Sequence, residues 1–196
     1  MIYGRAKVYG RVKVYGNAEV YDNAMIYGRA KVYGNAKISG YALVYGNAQI
    51  SDDAYVFAHA KVCDDAEVYG NAKVFGKAQV YGNAKVSDNA EVYGNAEVYD
   101  DAYIFDDAKV YGNAHIGLSS HVHGNTHIET NDIFADNVVV CGDTDVKKFE
   151  LTEETLDYAI FGTHILHRIK ALKDFGYVHK GDLGGFIEKR AYYKTV

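Results

Sequence analysis

Residues 78–101 read AQVYGN-AKVSDN-AEVYGN-AEVYDD, which is one six-residue unit written four times. The same frame extends along most of the chain, with Val or Ile at every sixth position from Ile2 to Ile128. Alanine stands four residues after each aliphatic residue from Ala6 to Ala114, and Val12 is the single exception. A strict period over this length indicates a stacked repeat architecture, in which each unit packs against its neighbours.

Each unit predicts a short strand followed by a corner. The order Ala-x-Val-x alternates with period two, so we expect Ala and Val to point inward and the other two residues to point outward. A Gly-Asn, Asp-Asn or Asp-Asp pair follows, as at Gly16 and Asn17. These residue types tolerate positive φ, and the pair therefore predicts a turn of the chain. His59 replaces a corner Asn and is expected to accept positive φ there.

A period of six with an aliphatic residue first and a small residue fifth resembles the hexapeptide-repeat left-handed β-helix family. The resemblance implies left-handed winding and a triangular coil made of three hexads. Residues 2–145 contain 24 hexads, which would stack into eight coils. The absence of Pro from the sequence fits a structure in which nearly every backbone N–H joins a ladder. We therefore predict an all-β left-handed parallel β-helix over residues 1–146.

Aromatic residues follow the aliphatic position in 15 of the 19 hexads from Ile2 to Tyr111. Positions three hexads apart should lie over one another, so these rings are expected to form columns on all three faces. One of these columns comprises Tyr9, Tyr27, Tyr45, Tyr81 and Tyr99, with Cys63 in the middle. Such columns could serve only to stabilise neighbouring parallel strands. They could also form a contact face for self-association, for a glycan or for another protein.

The overall composition excludes several classes of function. A net charge of −5 and a pI near 5.9 argue against a nucleic-acid-binding surface, which needs clustered Lys and Arg. The sequence opens inside the repeat, so we expect no secretory leader, and it contains no apolar run of membrane-spanning length. Cys63 and Cys141 should lie more than four coils apart, too far for a disulfide. These features predict a cytoplasmic protein without membrane or nucleic-acid partners.

Residues 147–196 depart from the repeat and predict a small α+β module that caps the solenoid. Tyr158–Phe161 and His164–Leu172, separated by a Gly-Thr pair, predict a β-hairpin. The segment ALKDFGYVHKGDLGGFIE, residues 171–188, closely resembles a KGDLGG module of bacterial and prophage hexapeptide-repeat proteins. Some of those proteins are assigned as acetyltransferases. In them the module precedes the repeats, whereas here it follows them.

Two histidines are the candidates for catalysis. His121 and His123 flank the inward residue Val122, so both imidazoles are expected to point outward. The resemblance implies an alternative function, an acyl-CoA-dependent trimeric acyltransferase in which one of these residues is the general base. Such enzymes usually build their groove with a loop that grows from a corner, and residues 2–145 contain no insertion.

The same histidines suggest a metal site. Cys141 lies three hexads after His123 and should stack on it, and two imidazoles with a thiolate are zinc ligands. A fourth ligand would have to come from another subunit, and ordinary variation of a polar surface also explains these residues. We therefore expect no metal and no cofactor. The favoured interpretation is a non-enzymatic solenoid of phage or prophage type that forms a dimer or trimer or binds a partner.

Overall fold

The structure is a computed structural model, and it describes the repeat region almost completely. The residues described are 1–130, 133–134, 139–142, 144–146, 158–161, 164–168 and 193–195. Within these ranges the secondary structure consists of β-strands and turns. No helix long and apolar enough to cross a membrane is found among them.

The described residues form twenty-seven strands, numbered in chain order, in three sheets. The first sheet contains β1 (Lys7–Val8), β4 (Met25–Ile26), β7 (Leu43–Val44), β10 (Lys61–Val62), β13 (Gln79–Val80), β16 (Glu97–Val98), β19 (His115–Ile116) and β22 (Ile133–Phe134). The second begins with β2 (Lys13–Val14), β5 (Lys31–Val32), β8 (Gln49–Ile50), β11 (Glu67–Val68), β14 (Lys85–Val86), β17 (Tyr103–Ile104), β20 (His121–Val122) and β23 (Val139–Cys141). The third contains β3 (Glu19–Val20), β6 (Lys37–Ile38), β9 (Tyr55–Val56), β12 (Lys73–Val74), β15 (Glu91–Val92), β18 (Lys109–Gly112), β21 (Thr126–Thr130) and β24 (Thr144–Val146).

The register of the strands gives the length of one coil. Each solenoid strand pairs in parallel with the strand three hexads further on, as Lys61 does with Gln79. The backbone N–H of Lys61 donates to the carbonyl oxygen of Ala78 at 2.9 Å, and the same pattern recurs along the solenoid. Three strands complete one coil, and each sheet receives eight of the strands β1–β24. The all-β parallel β-helix predicted from the sequence is therefore confirmed.

The core is a column of alanine and β-branched residues inside the three sheets. Every alanine of the frame from Ala18 to Ala114, and every Val or Ile from Val20 to Ile116, is completely buried. Ser120 and Thr126 replace alanine near the end of the repeat and are also completely buried. The hydroxyl of Thr126 lies 2.7 Å from the carbonyl oxygen of His123 and 3.2 Å from that of Gly142, and its single hydrogen is donated to one of them or shared between them. The hydroxyl of Thr126 inside this end of the column thus has partners, as burial requires.

The corners depend on positive φ at the first residue of each pair. Gly16 has φ 68° and Asp22 has φ 58°, as expected for residues that tolerate this conformation. The expectation for His59 was wrong, because the positive φ of that corner, 58°, belongs to the preceding Ala58. The imidazole of His59 instead stacks on Tyr41, with ring centroids 5.1 Å apart.

The aspartates at these corners also bind the next coil. Asp22 Oδ2 accepts a hydrogen bond from the backbone N–H of Gly40 at 3.2 Å, and Asp106 Oδ2 accepts one from Gly124 at 3.0 Å. These bonds satisfy corner N–H groups that the parallel ladder leaves without a backbone partner. Aspartate can therefore replace glycine at a corner, because the bond offsets part of the cost of positive φ.

Three further strands extend the second sheet beyond the solenoid. They are β25 (Tyr158–Phe161), β26 (His164–Arg168) and β27 (Tyr193–Thr195). Strand β25 pairs in parallel with β23, and β26 pairs antiparallel with both β25 and β27. The first two strands pair within the bounds of the predicted hairpin, of which residues 169–172 lie outside the described part of the chain. The KGDLGG segment, residues 171–188, lies outside the described residues, so the capping role of residues 147–196 stays a prediction.

Candidate functional site: three aromatic ladders

The residue after the aliphatic position of each strand points outward and lies over its equivalent in the next coil. We name the resulting columns the first, second and third ladders, after their sheets. The first ladder comprises Tyr9, Tyr27, Tyr45, Cys63, Tyr81, Tyr99 and Gly117. The second comprises Tyr15, Tyr33, Ser51, Tyr69, Ser87, Phe105, His123 and Cys141. The third comprises Tyr3, Tyr21, Ser39, Phe57, Phe75, Tyr93 and Tyr111.

Neighbouring rings within a ladder are stacked and nearly parallel. In the first ladder the ring centroids of Tyr27 and Tyr45 are 4.9 Å apart with an interplanar angle of 2°. The ring centroids of Tyr9 and Tyr27 are 5.3 Å apart. Tyr81 and Tyr99 are 5.4 Å apart. Each such pair contributes about 0.5–1.5 kcal/mol beyond the burial of its area. The five tyrosines of the predicted column therefore lie in one column, in two stacked groups on either side of Cys63.

The ladder rings are partly buried by their neighbours, and this affects their phenols. Burial and then the nearby Glu97 carboxylate raise the pKa of Tyr81 to about 12. Tyr9 and Tyr15, nearer the start of the solenoid, remain about half exposed, at 53% and 51%. A ladder thus presents the edges of ordered, uncharged rings to its surroundings.

Serine interrupts the ladders at Ser39, Ser51 and Ser87. At Ser87 the space is filled by Tyr103, whose hydroxyl lies 3.0 Å from Ser87 Oγ and 2.8 Å from the hydroxyl of Tyr69. The Tyr103 ring lies 4.5 Å from the Phe105 ring, so the ladder is closed again by a ring from the adjacent column.

The break at Ser39 is filled in the same way, by Tyr55. The hydroxyl of Tyr55 lies 2.8 Å from Ser39 Oγ and 2.9 Å from the hydroxyl of Tyr21, and its ring lies 4.4 Å from Phe57. In both cases the inserted tyrosine is 16 residues after the serine. The six-residue period does not predict this arrangement. A signal was present, because Tyr55 and Tyr103 are the only tyrosines of the repeat at the outward position before the aliphatic residue.

Ser51 lies in a break that remains open. A cavity of about 260 Å³ occupies this part of the second ladder. Its lining consists of Tyr33, Gln49, Ser51, Asp52, Glu67 and Tyr69. The residue 16 positions after Ser51 is Glu67, so no tyrosine is available there to fill the space.

Cys63 interrupts the first ladder differently. A hydrogen bond with the Cys63 thiol, followed by burial, raises the pKa of the Tyr45 phenol. The Cys63 side chain is 8% exposed, and burial is the main cause that raises the pKa of its thiol. The Tyr45 phenol thus lies near the thiol at this break, and the thiol remains protonated and largely buried.

The histidine candidates lie next to Phe105, near the end of the second ladder, of which His123 is a member. The His123 ring stacks on Phe105 at 4.6 Å, and its Nδ1 lies 3.6 Å from Asp106 Oδ2. The His121 ring meets Phe105 edge-on, with centroids 6.4 Å apart. Burial, with a smaller effect of His123, lowers the pKa of His121, so its imidazole is neutral at pH 7.

Cys141, the third predicted metal ligand, is buried at the end of the same ladder. Burial raises the pKa of its thiol to about 11, whereas zinc binds the thiolate. Among the described side chains, no group of three His, Cys, Asp or Glu is arranged to hold a metal ion. A zinc site at His121, His123 and Cys141 is the alternative to the expected absence of metal, and it stays an untested alternative that would need further ligands.

Comparisons with known proteins found one family that matches part of the repeat and one similar solved structure. The family described as YdcK beta solenoid repeat matches residues 78–94. Among solved structures, LpxA from Acinetobacter baumannii is similar with 10% sequence identity and a TM-score of 0.27, and the match covers 81% of this chain and 70% of that one. No curated protein matches the sequence.

Proposed function

We propose that this chain is a non-enzymatic binding or scaffolding solenoid whose ladders form the contact surface for a second copy or for another partner. The observation that supports this function is the continuity of the rings. In the third ladder, Phe57, Phe75, Tyr93 and Tyr111 follow one another at centroid distances of 4.8 Å. Rings that are already held by stacking lose little conformational freedom on binding, and tyrosine is favoured at interfaces.

Association with a second copy, as a dimer or trimer, is the form of this function that we favour. The charged columns beside the ladders pair within the chain, as Lys73 does with Glu91 at 2.9 Å and Lys85 with Glu67 at 3.5 Å. Together with the net charge of −5, this pairing suits contact with protein or glycan rather than nucleic acid.

The buried, protonated thiol of Cys63 also fits a reducing compartment such as the cytoplasm.

Sedimentation velocity tests the proposal on the wild-type chain and on two double variants. Phe75→Ser/Tyr93→Ser removes two rings from the third ladder, and Tyr27→Ser/Tyr45→Ser is the matched change in the first. Serine is a suitable replacement because three ladder positions already hold it. We expect a wild-type oligomer and a shift toward monomer in at least one variant, with the circular dichroism of both unchanged. A wild type that is monomeric at every concentration would contradict self-association. An oligomer unaffected in both variants would contradict the role of the ladders.

The acyltransferase alternative is favoured by one observation, the lowered pKa of His121, because a general base must be neutral at the working pH. Calorimetry with acetyl-CoA separates the two functions. A transferase should bind the acyl donor, and His121→Ala or His123→Ala should weaken its binding or abolish turnover. The scaffold predicts no heat of binding in the wild type and no turnover.

A further inference from the structure

Among the serine breaks of the ladders, the one at Ser51 is open, because nothing in the described part of the chain replaces its missing ring. We call it the Ser51 slot, with Tyr33 and Tyr69 as its two walls and Ser51 as its floor. The centroids of adjacent stacked rings in a ladder lie 4.6–5.4 Å apart, the limits being the pairs Phe105–His123 and Tyr81–Tyr99. Tyr33 and Tyr69 are two coils apart, about 9.6 Å at the usual strand spacing. That separation holds one aromatic ring at stacking distance from both walls.

The side chains beside the slot are drawn away from it. Gln49 Oε1 accepts a hydrogen bond from Lys31 Nζ, one coil earlier, at 3.4 Å. The Glu67 carboxylate lies 3.5 Å from Lys85 Nζ, one coil later. Gln49 is thus held toward the preceding coil and Glu67 toward the following coil. The cavity of about 260 Å³ lies between them.

The floor of the slot carries an unused polar group. Ser51 is 6% exposed, and within the described part of the chain its hydroxyl forms no hydrogen bond with another side chain. The equivalent hydroxyls of Ser39 and Ser87 are both bonded to the phenol that fills their breaks. A buried hydroxyl without a partner is costly, so this one favours a ligand that completes its bonding.

The filled breaks supply the template for that ligand. In each of them a phenol ring enters the ladder, and its hydroxyl meets both the serine and the tyrosine one coil earlier, as Tyr103 meets Ser87 and Tyr69. In the Ser51 slot the corresponding groups are the hydroxyls of Ser51 and Tyr33. We propose that the slot is a binding site for the phenol ring of a small molecule, stacked between Tyr33 and Tyr69 with its hydroxyl bonded to Ser51. This site requires no second copy of the chain and is independent of the proposed self-association.

Calorimetric titration with p-cresol, the side chain of tyrosine as a free molecule, tests the proposal. We expect saturable binding with one site per chain. The methyl ether of p-cresol keeps the ring but cannot donate a hydrogen bond, and it should bind at least about fivefold more weakly. Non-saturable heats with p-cresol would overturn the proposal, and so would equal affinity for the ether.

Variants locate the binding on the molecule. Ser51→Tyr supplies the missing ring covalently and should abolish p-cresol binding without lowering the melting temperature. Ser51→Ala keeps the slot open and should weaken binding about fivefold through loss of the hydrogen bond. The matched control is Tyr93→Ser in the third ladder, which should bind p-cresol as the wild type does. Undiminished binding by both Ser51 variants would overturn the assignment.

A second copy is the other source of a phenol, and sedimentation distinguishes it. If p-cresol does not bind the wild type, but Ser51→Tyr converts an oligomer into monomers, the slot holds a tyrosine of another chain and the small-molecule proposal is wrong. If the Ser51 slot binds p-cresol and the oligomeric state is unchanged, the proposal stands whatever the outcome for the ladder variants.

Discussion

At a ladder serine, the residue 16 positions further on determines whether the break is filled. Tyr55 and Tyr103 fill the breaks at Ser39 and Ser87, whereas Glu67 supplies no ring for the break at Ser51. The period of the sequence predicts which residues share a column, because alternation and stacking depend on backbone geometry alone. It does not predict a ring that leans from one column into the next, since that contact joins positions that are not a whole number of hexads apart. Which breaks of the ladders are filled therefore depends on side-chain conformation and not on the period alone.

The phenols of the ladders are expected to ionise at a higher pH than the phenol of an exposed tyrosine. Burial and, second, the Glu97 carboxylate raise the pKa of Tyr81 to about 12, against about 10 in an unfolded chain. A raised pKa of an acid means that the folded state favours the protonated phenol. The resulting stabilisation is fully present below pH 10 and is lost as the pH rises toward 12.

Glu97→Gln should lower the pKa of Tyr81 part of the way toward 10, because it removes the charge and leaves the burial. The phenolate absorbance of the variant, measured with and without Tyr81→Phe, isolates this group among the 19 tyrosines. Glu67→Gln on the second sheet is the control and should leave the Tyr81 titration unchanged. The same Tyr81 midpoint in Glu97→Gln and in the wild type would contradict the electrostatic cause.

At the scale of the strand and corner, the coil depends on backbones that approach closely. Gly46 has φ 70°, and a Cβ added to it would lie 2.7 Å from the backbone nitrogen of Asp64 in the next coil. The pairing of Gly and Asn in the sequence predicted a corner at these positions. It did not specify which of the two residues takes positive φ, and for this reason the expectation for His59 failed.

Gly46→Ala should lower the stability by about 1–3 kcal/mol, because both the positive φ and the backbone clash oppose a side chain there. Gly117→Ala is the matched control. A Cβ at Gly117 would meet the outer ring atoms of Tyr99 at 2.2 Å, and that ring can move, whereas a backbone cannot. Denaturant midpoints of the two variants should therefore differ, with Gly46→Ala the lower. Equal midpoints would show that the corner tolerates a side chain.

At the scale of the whole molecule, the core has the same cross-section in nearly every coil. Alanine and a β-branched residue alternate at the inward positions from Ala18 to Ile116, and all are completely buried. The sequence predicted this column, because it follows from the period. The coil of three hexads and the left-handed winding came from a family resemblance and not from the period. The fold of residues 171–188 could not be predicted from the repeat, because that segment does not share its six-residue pattern.

A uniform core makes the molecule tolerant of the loss of one whole coil but not of a fraction of a unit. Deletion of residues 84–101, which removes one coil of three hexads, should leave every remaining inward position from Ala18 to Ile116 occupied by Ala, Val or Ile, and every remaining ladder residue on its own sheet. Deletion of residues 84–88 breaks the frame, so that the later inward positions receive residues such as Asn89 and Glu91 in place of Ala and Val. Burying those polar groups without partners costs several kcal/mol in total, at about 1–3 kcal/mol each.

Circular dichroism melting should show a cooperative transition for the longer deletion and loss of structure after residue 83 for the shorter one. Because stability in a solenoid is close to a sum over neighbouring coils, the longer deletion should melt only a few degrees below the wild type. If the shorter deletion proved equally stable, the core would not be held by the register from which the ladders and the Ser51 slot are built.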